Sequence, residues 1–213
     1  MSDKFKKLIN SDFGKISKDV LEMPLDSFID NETLKKVPFF GTIVNLYNLS
    51  STISDKIFAN KLVHFLKKIE DINPNIIQRE IQYIDDSNEY KHKVGEKILE
   101  IINRIDSEEK PKIIGRLFKN FILKKITYIE FLKFCYLIEQ LFYFDVIKLI
   151  DYDERNSLFV EQEIEIYNFG LCEGLGIGEW GETSNEEREY QDKVKAKITD
   201  LGKKLVEFGL KET

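Results

Sequence analysis

The chain has 213 residues, of which 42% are hydrophobic and 33% charged, and its formal net charge is −6. This composition predicts a soluble globular protein with one large domain or two small ones, and it leaves ample apolar material for a core. The chain contains only four prolines and eleven glycines, which favours helices. Its first ten residues, MSDKFKKLIN, lead into no apolar signal-peptide segment, so we expect a cytoplasmic protein.

Charge is divided unevenly along the chain. Residues 1–150 hold 24 lysines and arginines against 22 aspartates and glutamates, whereas residues 151–213 hold 8 against 16. A shift of this kind, here near Asp151, predicts a domain boundary. We expect an N-terminal arm over residues 1–37, a helical bundle over residues 38–150 and a separate C-terminal region over residues 151–213.

The first uncharged stretch covers residues 37–54, VPFFGTIVNLYNLSSTIS. It follows short amphipathic pieces that are interrupted by Gly14, Pro24 and Pro38. Its 18 residues are at the short limit for spanning a bilayer, and its asparagine and hydroxyl side chains lower its hydrophobicity further. The stretch predicts a buried helix, and contact with a membrane is the alternative.

Three helices are predicted before the centre of the chain, each from a polar start signal and an apolar face. Ser54 is the predicted N-cap of the first, and Asn73 followed by Pro74 starts the second. The residues 86–89, DSNE, are predicted to open the third. The apolar faces consist of Ile57, Phe58, Leu62, Phe65, Leu66 and Ile69, then Ile76, Ile77, Ile81 and Ile84, then Val94, Ile98, Ile101, Ile102 and Ile105.

Residues 112–150 form the most apolar part of the chain, and we expect the other helices to pack around them. Six apolar residues recur at helical spacing in the first half, namely Ile113, Ile114, Leu117, Phe118, Phe121 and Ile122. Lys124 and Lys125 close this helix, as suits the negative end of a helix dipole. Thr127 and Glu130 then form a predicted capping box for a second helix, which is apolar nearly all round and continues towards Ile150.

The C-terminal region combines a helix, a glycine turn and an alternating segment. Gly170 followed by Leu171 predicts a Schellman stop. The alternation of Val194, Ala196 and Ile198 predicts a β-hairpin, and Thr199 is the predicted cap of a last helix. The fold class is therefore mainly α: a multi-helix bundle followed by a small α+β unit with a hairpin.

The order of these C-terminal elements, written here as FGLCEG and then ITDLGKKLVEFG, resembles the end of many bacterial winged-helix domains. It is also similar to the tail of the abortive-infection alpha family. The resemblance covers residues 161–208 and implies a winged-helix-like C-terminus and a role in bacterial phage defence. It implies no catalytic residue.

No catalytic, cofactor-binding or metal-binding motif is recognisable. The glycines of residues 176–181 have the spacing of a dinucleotide fingerprint, but an acidic run follows them, which would repel phosphate. His64 and His92 have no second ligand at metal spacing, and Cys135 and Cys172 match no metal or redox spacing. We therefore expect a protein that is not an enzyme, with Cys135 as a core thiol.

Two surfaces remain as candidates for binding. The first is a basic helix face that suits an anion or a nucleic acid, consisting of Lys112, Arg116, Lys119, Lys124 and Lys125, with Lys110 at its start. The second is an acidic surface that suits a basic protein partner, consisting of Glu182, Glu186, Glu187 and Glu189. The leading hypothesis is a protein-interaction or regulatory protein. The alternatives are a nucleic-acid-binding regulator and a membrane-associated effector that uses residues 37–54.

Overall fold

A computed structural model describes residues 3–11, 52–87, 89–151, 157–160, 164–174 and 194–211. Over these residues the protein is mainly helical, with a small antiparallel sheet near the C-terminus, as predicted. The chain divides into two compact units, Met1–Cys135 and Tyr136–Thr213. This division falls inside a helix and earlier than the change in charge at Asp151, so the domain boundary predicted there stays a prediction.

Unit 1 consists of helices. In chain order they are α1 (Asp3–Ile9), α2 (Ile53–Lys67), α3 (Pro74–Asp86), α4 (Val94–Arg104), α5 (Lys110–Ile122) and the first part of α6 (Tyr128–Gln140). Most of the uncharged stretch and of the N-terminal arm lies outside the described residues; Thr52, Ile53 and Ser54 begin α2. In the described part of the chain, no helix is both long and apolar enough to cross a membrane.

Two predicted helix starts in unit 1 are confirmed. The Asn73 side chain accepts a hydrogen bond from the backbone N–H of Asn75 at 2.9 Å, and Pro74 occupies the first helical position of α3. At the start of α6, Glu130 accepts from the Thr127 N–H at 2.8 Å, while the Thr127 hydroxyl accepts from the Glu130 N–H at 3.1 Å. This reciprocal pair is a capping box.

Two other predicted starts are wrong. Thr52, not Ser54, caps α2, since its hydroxyl accepts from the Asp55 N–H at 3.2 Å. Residues 86–89 do not open α4, because α3 continues through Asp86. The cap of α4 comes instead from the preceding helix, where the Asp85 carboxylate accepts from the Val94 N–H at 2.8 Å.

The core of unit 1 is arranged around α5. All six apolar residues predicted to face inward from this helix are buried. The Phe118 ring lies 5.5 Å from Phe65 of α2, 5.7 Å from Phe131 of α6 and 6.3 Å from Phe5 of α1, measured between ring centroids. One aromatic side chain therefore joins four helices.

Gly115 allows α2 and α5 to approach closely. A Cβ atom at this position would lie 2.8 Å from both the Phe65 carbonyl oxygen and the Lys68 Cβ, which is too close for any side chain. The glycine is thus explained by packing between helices and not by backbone conformation.

The second apolar helix is shorter and more exposed than predicted. It ends at Gln140, and a separate helix α7 (Tyr143–Lys148) follows, because Phe142 has extended backbone angles, with φ −67° and ψ 135°. Ile129 and Tyr136 of α6 are both exposed, as are Phe142 and Phe144. The prediction of one helix that continues towards Ile150 is therefore wrong, and some of the apolar side chains of α6 face solvent.

The described part of unit 2 contains, after α7, the strands β1 (Ser157–Val160), β2 (Cys172–Gly174) and β3 (Val194–Ile198), with α8 (Ile164–Asn168) between β1 and β2. The sheet has the order β1-β3-β2 and is antiparallel throughout, with Cys172 opposite Ile198 and Ser157 opposite Lys197. The predicted pairing of the segments around residues 172 and 196 is confirmed. Helix α9 (Asp200–Leu205) and a π-helical turn (Val206–Leu210) complete the unit.

A glycine turn and a threonine cap join the ends of β2 and β3. Gly170 has φ +71° and ends α8 in a Schellman motif, in which the Leu171 N–H donates to the Ile166 carbonyl at 3.0 Å. The Thr199 hydroxyl donates to the Gly170 carbonyl at 2.6 Å and accepts from the Gly202 N–H at 3.2 Å. The Gly-Leu and Thr-x-x-Gly pairs are therefore parts of one structural contact, which accounts for their presence in the sequence.

Replacement of Phe118 by alanine should lower the free energy of unfolding by about 3–5 kcal/mol, because it removes a fully buried ring and leaves a cavity. Denaturation in urea, followed by circular dichroism at 222 nm, measures this loss. Phe144→Ala is the matched control, since Phe144 is 58% exposed, and it should cost less than about 1 kcal/mol. Equal losses for the two variants would contradict the central role of Phe118.

Candidate functional site

The basic face of α5 is largely neutralised by carboxylates from other parts of unit 1. Lys112 pairs with Glu109 at 2.6 Å, Lys119 with Asp71 at 2.7 Å, and Lys124 with Glu80 at 3.2 Å. Asp71 and Glu80 lie far from α5 in the sequence, so the acid-free run of residues 110–129 gave no sign of these pairs. Arg116 lies on the same half-buried side of α5. Three of the five candidate lysine and arginine residues thus have a carboxylate partner.

Lys110 does not belong to an exposed basic face. Its side chain is 2% exposed, and its ammonium pairs with the Asp106 carboxylate at 2.7 Å. The hydrogen bond from Lys110 lowers the pKa of Asp106 below its usual range. The prediction that Lys110 opens an anion-binding surface is therefore wrong, because the side chain stabilises the start of α5 instead.

The C-terminal turn of α5 has an unusual residue in a left-handed conformation. Lys124 has φ +60°, and it is the one residue other than glycine with positive φ in the described part of the chain. The Lys125 N–H donates to the Asn120 carbonyl and the Lys124 N–H to the Phe121 carbonyl, both at 2.9 Å, which defines a Schellman motif. Glycine is the usual residue at this position, and a lysine there costs about 1 kcal/mol.

An open groove of about 380 Å³ lies beside this turn. The buried side chains of Phe121, Ile126 and Tyr128 form its apolar part, and the rings of Phe121 and Tyr128 are 5.3 Å apart. Tyr83 of α3 also lines the groove, yet 74% of this residue is exposed. The volume is within the range of pockets that take a small ligand or an inserted side chain.

The groove is lined by four charged residues, the two glutamates Glu80 and Glu130 and the two lysines Lys124 and Lys125. Glu80 pairs with both Arg79, at 3.1 Å, and Lys124. Glu130 accepts from the N–H and the hydroxyl of Thr127 in the capping box. Lys125 is exposed. The groove therefore combines an apolar surface with charges of both signs.

Buried titratable groups lie elsewhere in unit 1. Burial, with a smaller contribution from the nearby Lys112 ammonium, lowers the pKa of His64 to about 4. Burial also lowers the pKa of Lys61, whose ammonium donates to the Ile105 carbonyl oxygen. Both side chains are buried in the packing of unit 1, with Lys61 against the end of α4, which favours a structural role.

The acidic surface lies outside the described residues, as does the glycine run of residues 176–181. In the described ranges, no three His, Cys, Asp or Glu side chains come together in a way that could hold a metal ion. Cys135 and Cys172 are both free and buried. Among the described residues, the groove in unit 1 is thus the best-defined candidate site.

Sequence reasoning found Lys124 and Lys125 but missed the apolar side of this site. Two signals were available. Tyr83 is a large aromatic residue outside the apolar face of α3. Two lysines also occupy the C-terminal end of α5, where glycine is usual. Neither signal predicts that α3 packs against the turn between α5 and α6.

No protein-family model matches the chain, and no curated protein or solved structure is significantly similar to it.

The buried His64 predicts a pH dependence of stability. Its pKa of about 4 in the folded protein is below the ordinary value of 6.5, so the unfolded chain binds more protons between these two values. Stability should therefore fall as the pH decreases through this window, by about 1–2 kcal/mol between pH 7 and pH 5. Urea denaturation of His64→Gln should show a flatter pH profile. His92→Gln changes an exposed histidine and should keep the wild-type slope; the opposite pattern would contradict the assignment.

The two cysteines should not react in the folded protein. Both are buried, and burial raises the pKa of the Cys172 thiol to about 11, so about one molecule in a thousand carries the thiolate there at pH 8. Ellman's reagent should label neither thiol over minutes at pH 8, and two per chain after denaturation in guanidinium. Rapid labelling of the native protein would show that one of them is accessible.

Proposed function

We propose that this chain is a non-enzymatic protein-interaction protein that binds an apolar segment of a partner in the groove between α3 and the α5–α6 turn. The observation that carries the proposal is the exposure of Tyr83 beside the apolar wall of Phe121, Ile126 and Tyr128. Exposed aromatic side chains next to a concave apolar surface are typical of binding sites for protein segments.

The ion pairs of α5 favour this function over nucleic-acid binding. A protein binds DNA or RNA mainly by placing unpaired lysine and arginine side chains against phosphates. Lys112, Lys119 and Lys124 each already contact a carboxylate, and a phosphate would have to displace it. We therefore keep nucleic-acid binding as the alternative function and test it directly.

We extend the proposal to the C-terminal unit as a winged-helix-like scaffold. The antiparallel sheet, the Gly170 turn and the Thr199 cap support it. A helix-turn-helix that reads DNA needs two helices and a turn, and the segment 161–171 between β1 and β2 is too short for them. Through its resemblance to the abortive-infection alpha family, this unit supports a regulatory role in bacterial phage defence, in the cytoplasm.

Selection of displayed seven-residue peptides against the purified full-length protein tests the interaction function. Tyr83→Ala should lower the affinity for the selected peptides about tenfold or more, as expected for an aromatic anchor at an interface. Tyr136→Ala removes another exposed tyrosine that does not line the groove, and it should leave the affinity unchanged. Peptides that depend on Tyr136 but not on Tyr83 would overturn the groove as the binding site.

Fluorescence anisotropy with labelled random-sequence duplex DNA and single-stranded RNA tests the alternative. Because the basic face is paired, we expect no submicromolar binding at about 50 mM salt. Submicromolar affinity that falls steeply with salt, and that is lost in the double variant Arg116→Glu, Lys119→Glu, would instead establish the nucleic-acid function.

A further inference from the structure

Helix α1 is a short segment that depends on the rest of unit 1 for its structure. It has seven residues, and its side chains Phe5, Leu8 and Ile9 are fully buried. In water an isolated helix needs about 12–15 residues to be even marginally stable. The helical form of α1 therefore comes from docking on unit 1, and its apolar anchors have the spacing of a helix that is bound in a groove.

Three other helices of unit 1 form the pocket under α1. Helix α1 packs against α3 and α4, and the Phe5 ring lies edge-on to Phe118 of α5, with 6.3 Å between the ring centroids. Just after α1, the Asn10 side-chain oxygen accepts a hydrogen bond from the Gln78 amide of α3. The pocket thus holds α1 by an aromatic contact, apolar burial and a polar contact at its end.

Gly95 of α4 makes room for Phe5 in this pocket. A Cβ atom at Gly95 would lie 2.7 Å from the Phe5 Cβ and 2.8 Å from its Cγ, which is too close for any side chain. A glycine inside a helix costs about 0.5–1 kcal/mol relative to alanine, and Gly95 lies within α4. The close approach of Phe5 explains why the chain has glycine at this position.

The remaining walls of the pocket are held by contacts that do not involve α1. The Phe118 ring lies 5.5 Å from Phe65 of α2 and 5.7 Å from Phe131 of α6, measured between ring centroids. The start of α4 is capped by the Asp85 carboxylate of α3, which accepts from the Val94 N–H. These contacts remain when α1 leaves, so the pocket stays available to another helix of the same kind.

The connection along the chain does not require α1 to occupy the pocket of its own molecule. Forty residues, 12–51, separate Ser11 from Thr52 in the sequence, and a chain of this length spans at most about 130–140 Å. This limit is several times the radius of gyration of about 14 Å that is typical of a domain with the length of unit 1. A second copy of the chain carries the same α1, which is a segment that fits this pocket.

We propose that the α1 pocket is an interface between two copies of this chain, in which the α1 of each copy docks beside Gly95 and Phe118 of the other. The contacts of α1 are the same within one chain and between two, so the exchange costs mainly the entropy of association and increases with concentration. Neither Gly95 nor Phe118 lines the groove between α3 and the α5–α6 turn, and this interface is independent of the proposed function.

Two full-length variants with complementary defects test the exchange. Phe5→Ala removes the largest anchor of α1 and keeps the pocket, whereas Gly95→Ala fills the pocket and keeps α1. Each variant alone should have the monomer mass of 25.1 kDa by size-exclusion chromatography with light scattering. An equimolar mixture at about 100 µM should contain a heterodimer of twice that mass, because the α1 of one variant docks in the pocket of the other.

The double variant Phe5→Ala, Gly95→Ala is the matched control for this mixture. It has neither the anchor nor the pocket, so it should not associate with either single variant. Circular dichroism at 222 nm checks that each variant is folded, and both single variants should retain nearly all of the wild-type signal, because Phe118 keeps its contacts with α2 and α6.

A labelled peptide of residues 1–11, MSDKFKKLINS, tests the pocket separately. By fluorescence anisotropy it should bind Phe5→Ala at least about tenfold more tightly than wild type, because the tethered α1 of the wild type competes for the pocket. It should not bind the double variant. Failure to bind Phe5→Ala up to about 1 mM would overturn the exchange, since the pocket would then not accept α1 from another molecule.

The wild-type chain gives a test that needs no variant to fold. Its weight-average mass from sedimentation equilibrium should rise above the monomer value between about 10 µM and 1 mM, as expected when two copies compete with internal docking. A constant mass over this range, or a mixture of the two single variants that stays monomeric, would overturn the interface. A dimer that persists in the double variant would overturn its assignment to the α1 pocket.

Discussion

The Phe118 ring is the contact on which the rest of unit 1 depends. It meets Phe5 of α1, Phe65 of α2 and Phe131 of α6, which are far apart in the sequence, and Phe121 one turn further along α5. Aromatic pairs of this kind add about 0.5–1.5 kcal/mol each to the burial of their area. Because Phe121 also forms part of the groove wall, the same packing that stabilises the core fixes the shape of the candidate site.

The turn between α5 and α6 connects the packed core to the groove at the surface. The Schellman motif ends α5 at Ile122, and the capping box of Thr127 and Glu130 begins α6 a few residues later. In this connection the N–H groups of Lys124, Lys125 and Thr127 each donate a hydrogen bond within one of these two motifs. The Schellman motif before Lys124 and the capping box after it hold this residue in its left-handed conformation. Its backbone strain therefore persists in the folded protein, and its side chain stays at the groove.

Features set by neighbouring residues could be predicted from the sequence, and features set by distant ones could not. The inward face of α5, the Asn73 cap, the α6 capping box and the Gly170 turn each depend on residues within one or two turns. The predicted start of α4 was wrong because the cap comes from Asp85 of the preceding helix α3. The predicted cap of α2, Ser54, was wrong because Thr52 offers a hydroxyl two residues earlier. The groove required knowledge of how α3 lies against the α5–α6 turn.

The charge pattern shows why composition alone misleads about binding. A run of residues without any acid indicates an anion-binding face, yet Asp71 and Glu80 reach this face from elsewhere in the chain. An ion pair of this exposed kind adds little to stability, about 0–1 kcal/mol, but it lowers the local potential that a polyanion would need. Beside the apolar groove stand charges of both signs, Lys124 and Lys125 with Glu80 and Glu130. Recognition at such a site depends mainly on apolar contact and shape.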